Sequence, residues 1–172
     1  MTSTLYLSIA ILVGIGAATQ AALLAAMGRD KGPFEGTWIN MLAAIGGLAV
    51  LFIARAVIGR APLLPAPFNQ PAAFVAVACL SGVALAISVR GINPAFAVTG
   101  LFAIALLLGL GYGAPKIGIA LFLAGVTVGQ LAGALAYDHV GAFGLAVHHA
   151  SITRIAGLGV MLAGVLIVRF AP

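Results

Sequence analysis

Five stretches of this chain, residues 5–27, 36–54, 71–89, 95–113 and 117–137, contain no Asp, Glu, Lys or Arg, and the shortest of them is 19 residues long. A helix advances about 1.5 Å per residue, so roughly 20 apolar residues cross the hydrocarbon core of a bilayer. Only 11 of the 172 residues are formally charged, and they fall between the apolar stretches. A soluble domain of this length has no way to bury five such segments. Their solvent is lipid, and the sequence predicts an all-α, polytopic transmembrane helix bundle.

A sixth span is shorter, with 14 apolar residues between Arg154 and Arg169. Both arginines can extend it by snorkelling to the interface. The expected helices are 5–27, 34–54, 71–89, 95–113, 117–137 and 154–170, in one membrane domain covering 1–172, with five spans as the alternative. The punctuation is polar or proline-rich: a turn at 28–32, GRAPLLPAPFNQP at 59–71, Asn93-Pro94, and a corner at Ala114-Pro115-Lys116. The first stretch reads as a retained helix, because the residues before it supply no basic n-region.

With six spans, Arg55, Arg60, Lys116 and Arg169 fall on one side of the membrane and Arg29, Lys31, Arg90 and Arg154 on the other. Positive-inside therefore gives no orientation. The balance admits dual topology, in which copies insert both ways and pair antiparallel, the unfused version of an inverted repeat. The expected partners are membrane lipid, a small-molecule solute, and a second copy in a homodimer or a paired homologous subunit. The net charge of +5 comes from scattered residues without a basic cluster, so nucleic acid is not expected.

Glycine is abundant, with 23 residues, and part of it is patterned. Gly125, Gly129 and Gly133 recur every fourth residue on the fifth helix, and Gly109 and Gly113 do so on the fourth. Such spacing cuts a groove for close helix packing. Few polar residues lie inside the spans: Thr19, Gln20, Thr37, Asn40, Thr127 and Gln130. Lipid exposure of an amide is costly, so Gln20, Asn40 and Gln130 are candidate contacts for a polar solute, with interhelical bonding as the alternative. Trp38 and Tyr112 near segment ends are candidates for solute stacking, although membrane anchoring explains them as well.

Glu35 and Asp138 read as interfacial carboxylates, and Cys79 as a small packing residue. The three histidines, His139, His148 and His149, lack metal-ligand spacing. No HExxH, GxSxG or GK[ST] phosphate loop is present, so neither an enzyme nor a cofactor is expected.

Two blocks carry a resemblance. GAATQAALLAAMGRDKGP covers the first helix and its turn, and APKIGIALFLAGVTVGQLAGALAYDHVGAFG covers the fifth helix and its exit. With the terminal AGLGVMLAGVLIVRF they resemble the small YdcZ-like branch of the drug/metabolite transporter superfamily. The positions that carry it are Gln20, Gly28, Arg29, Pro115, Lys116, Gly129, Gln130, Asp138, His139, Gly141 and Phe143. The resemblance implies a small solute carrier or exporter subunit, and a usual count of five spans. The sequence thus predicts a small-solute transporter working by alternating access as a dimer. The competing reading is an accessory subunit that docks a larger partner through its glycine faces.

Overall fold

The computed structural model describes residues 2–170. It contains six helices long and apolar enough to cross a membrane, and no strand among the described residues. These are α1 (Thr2–Lys31), α2 (Pro33–Val57), α3 (Pro71–Ser88), α4 (Thr99–Ile117), α5 (Ile119–Val140) and α6 (Ile152–Phe170). A 3₁₀ turn, Pro94–Val98, precedes α4, and another, Ala142–Gly144, follows α5. The described residues thus hold six spans, not the five that the resemblance implied.

Several helix ends move from their expected places: α4 starts at Thr99, after a 3₁₀ turn, and two other ends run past polar or proline-containing stretches. The first helix continues through the polar stretch and stops at Lys31, because the break is made by Gly32 at φ 112° followed by Pro33 as the first residue of α2. Positive φ is open to glycine, and proline suits a helix start because its missing N–H is not needed there. The fourth helix likewise passes through Pro115 and ends at Ile117, where Gly118 at φ 86° turns the chain. A proline forfeits one bond to the residue four positions earlier but does not stop the helix on the spot.

The chain divides into two compact units: one takes the residues up to Ala26 and those from Ala105 onward, the other Met27–Ile104. In the second unit α2 packs on α3, with Phe52 and Phe74 stacked at 4.4 Å. Gly100 lies directly on the α2 backbone, where a Cβ would overlap Ala44 N and meet the Asn40 carbonyl. Lys31 Nζ donates to the carbonyls of Ser88 and Arg90, both at 2.9 Å, so a cation covers the C-terminal end of α3. Cys79 is exposed on α3 and not part of the packing.

In the first unit the glycines of α5 form a seam with α1. A Cβ on Gly125 would press on Leu7 and Ala10, one on Gly129 would overlap the Ile11 carbonyl, and one on Gly133 would meet Ala18 at 2.9 Å. Gly14 of α1 answers from the other side, against the Val126 carbonyl. Lipid supplies no hydrophobic force between helices, so this close approach is what holds them. Thr19 Oγ1 and Tyr137 Oη share a hydrogen bond of 2.7 Å at one end of the seam. On α4, the space above Gly113 is filled by the fully buried ring of Phe122, and Gly109 faces Val13.

Candidate functional site

The other face of α5 meets α6 loosely. Val165 is the one buried residue on α6, and it joins Leu7, Leu121 and Val128 in a small apolar cluster. From there toward the start of α6 the two helices leave a groove of about 380 Å³. Leu131, Ala134 and Leu135 of α5 line one wall, and Gly157, Leu158 and Met161 of α6 the other. Gly157 adds to the space, since a Cβ there would meet nothing within 4 Å. This volume is in the range of small-molecule sites.

A single ion pair closes the polar end. Arg154 Nη1 lies 3.5 Å from Asp138 Oδ2, and both side chains are about half exposed, 48% and 46%. Asp138 is in the last turn of α5, where the helix dipole is negative, and Arg154 is in the first turn of α6, where it is positive. Each charge therefore sits at the helix end that disfavours it. A single long contact at this exposure contributes roughly 0–1 kcal/mol. Fold stability is a poor reason for these two residues to be here.

The connection from α5 to α6 is tied down, so the pair is held in register. Gly141 caps α5 in the left-handed region at φ 62°. His148 N donates to the Asp138 carbonyl at 2.8 Å, and Ala150 N donates to His139 Nδ1 at 3.2 Å. The rings of His139 and His149 meet edge to face at 5.4 Å. Ser151 then caps α6 by accepting from Arg154 N at 3.2 Å. The stretch that reads as loose in sequence is a pinned turn. The histidines serve as its fasteners.

The residues singled out for solute contact do not line this groove. Asn40 is buried in the second unit, Gln20 is partly buried in the first, and both are engaged in polar contacts. Gln130 is exposed, halfway along the 22 residues of α5. Trp38 and Tyr112 are 57% and 67% exposed, as suits membrane anchors. Thr37 and Thr127 each return a bond to a carbonyl of their own helix at 2.8 Å. Sequence reasoning missed the groove because Asp138 and Arg154 read as ordinary interfacial charges. The available signal was their placement, an acid at a helix C-terminus followed by a base at the next N-terminus.

A family model described as "Putative inner membrane exporter, YdcZ" matches residues 71–167, more than half of the chain. The chain belongs to this family. Both walls of the groove, the ion pair and the pinned turn between them lie within the matched stretch. So do Pro115, Lys116, Gly129, Gln130, Asp138 and His139, whereas Gln20, Gly28 and Arg29 lie before it. The match also takes in residues 71–105, which are outside the blocks that carry the resemblance. No curated protein and no solved structure matches the chain. It is an integral inner-membrane protein, and the family description is that of a transporter and not of an enzyme class.

Proposed function

We propose that this YdcZ-family chain is a small-solute exporter subunit that works by alternating access, and that the α5–α6 groove is where the solute sits. The observation that carries this reading is the Asp138–Arg154 pair at the mouth of an apolar groove. It contributes little to stability, it is placed against both helix dipoles, and it offers a solute two charges. Movement is supported by the sparse burial of α6, where Val165 is the one buried residue and Leu158 and Met161 are only partly buried against its cluster.

The dimer in this proposal rests on Gln130. An amide exposed at mid-helix depth costs several kcal/mol in hydrocarbon, and a second copy of α5 offers it a matching amide.

Flux in proteoliposomes tests the transport reading. Asp138→Asn is expected to slow efflux by about tenfold or more, the loss that follows when a charged partner of a bound group is removed. Thermal stability should change by less than about 1 kcal/mol, because the pair is half exposed. Unchanged flux with Asn at 138 would take the groove out of transport. Absence of any flux together with tight co-purification of one larger protein would favour the accessory subunit.

A further inference from the structure

The mouth of the α5–α6 groove has two poles. Asp138 and the carbonyl end of α5 make one side negative, and Arg154 and the N–H end of α6 make the other positive. The arrangement that disfavours each side chain at its own helix end adds a partial charge of the same sign to each pole that a ligand meets. A cationic head group gains at Asp138 but opposes Arg154, and an anionic one does the reverse. A head group carrying both charges a few ångströms apart satisfies both poles at once.

Behind the poles the groove is apolar. Leu131, Leu135, Leu158 and Met161 form its walls, and Met161 gives it an adaptable surface. Its 380 Å³ corresponds to about a dozen water-sized volumes, room for one alkyl chain. The groove is lined by residues of two membrane-spanning helices, and most of α6 is exposed. The charged poles lie at the ends of the spans, the level of lipid head groups.

The geometry points to a single-chain zwitterionic amphiphile as the ligand of this groove, taken laterally from the bilayer, with its ammonium at Asp138, its phosphate or carboxylate at Arg154 and its alkyl chain along Leu135 and Leu158. This names the ligand class of the groove assigned above, and rests on that reading for the groove being a binding site. The source is the membrane and not the water phase, because an isolated head group leaves the apolar walls uncovered.

The experiment uses the full chain in nanodiscs with three alkyl probes of equal length: lysophosphatidylethanolamine, an alkyl phosphate and an alkyltrimethylammonium. Each carries a photoreactive group in its tail, and glycerophosphoethanolamine serves as the tail-free competitor. The wild type is expected to prefer the zwitterion by about tenfold over either singly charged probe, with crosslinks on α5 and α6. Asp138→Asn should transfer the preference to the alkyl phosphate, and Arg154→Gln to the alkyltrimethylammonium. Such a reordering is not what a merely structural role would give.

Gly157→Leu fills an open position and should fold normally while lowering labelling about tenfold. Equal labelling by all three probes, an order unchanged by either charge variant, or full competition by glycerophosphoethanolamine would each overturn the proposal. Transfer of the zwitterionic probe between leaflets is measured in parallel on the wild type. Selective binding without transfer supports this inference and removes export. Flux of another solute without groove labelling removes this inference and leaves export standing.

Discussion

The two faces of α5 follow opposite rules. Against α1 it presents Gly125, Gly129 and Gly133 and comes so close that Gly129 has no room even for a methyl group. Against α6 it presents leucines and a carboxylate and leaves an open groove. One helix thus carries a tight seam and a loose one, about half a turn apart. In lipid, helices associate through close packing and not through hydrophobic force, so the glycine face is the one that holds. The leucine face contacts α6 mainly through the cluster around Val165, and it is free to accept something else. The lesson is that small residues mark where α5 packs closely, and that large apolar ones leave space beside it.

Substituting the seam is the strongest way to break this contrast. Gly129→Leu pushes side-chain atoms into the Ile11 backbone, which cannot yield as a flexible side chain would. The expected loss is about 3 kcal/mol or more, read as a collapse of folded yield and of detergent resistance. A stable Gly129→Leu protein would mean that α1 and α5 are not joined here.

A middle-sized effect is expected at Gln130, whose side chain is exposed although its backbone N lies against Gly14 in the tight seam. In the proposed dimer, Gln130→Leu should weaken self-association by about 1–2 kcal/mol while the monomer keeps its helix content, as measured by subunit exchange in bilayers. Loss of flux with the dimer intact would instead return Gln130 to the solute path, the role the sequence suggests. The smallest effect belongs to α6. Gly159→Ala meets nothing within 4 Å and should stabilise the helix by up to about 1 kcal/mol, whereas the same change at Gly129 should destabilise. Opposite signs in thermal unfolding would sharpen the comparison, and equal signs would dissolve it.

Much of the fold was legible because the bilayer imposes one simple demand. Uncharged runs near 20 residues must be helices, and the sixth span, although shorter, is bracketed by arginines that extend it. The glycine spacing of α5 was legible for the same reason, since a repeat every fourth residue stays on one face. Helix ends were less so. Lys31 and Ile117 lie beyond the expected limits because polar residues and a proline tolerate helix where a positive-φ glycine does not. The groove was legible only in part, through Asp138 and His139 among the positions that carry the resemblance. Asp138 and Arg154 are 16 residues apart, separated by what reads as a slack loop, and only the bonds from His148 N to the Asp138 carbonyl and from Ala150 N to His139 bring them together.

The amino-acid sequence by itself determined the solvent and the helical class and favoured six spans over five, because hydrogen-bond satisfaction in hydrocarbon leaves few alternatives for a chain so poor in charge. It also determined which face of α5 is narrow enough for close approach. Tertiary structure alone decided where that face docks, which amides are buried and which exposed, and that two interfacial charges share the mouth of one groove. Those outcomes depend on where a turn returns the chain, and a turn held by a few backbone hydrogen bonds leaves no periodic trace in sequence.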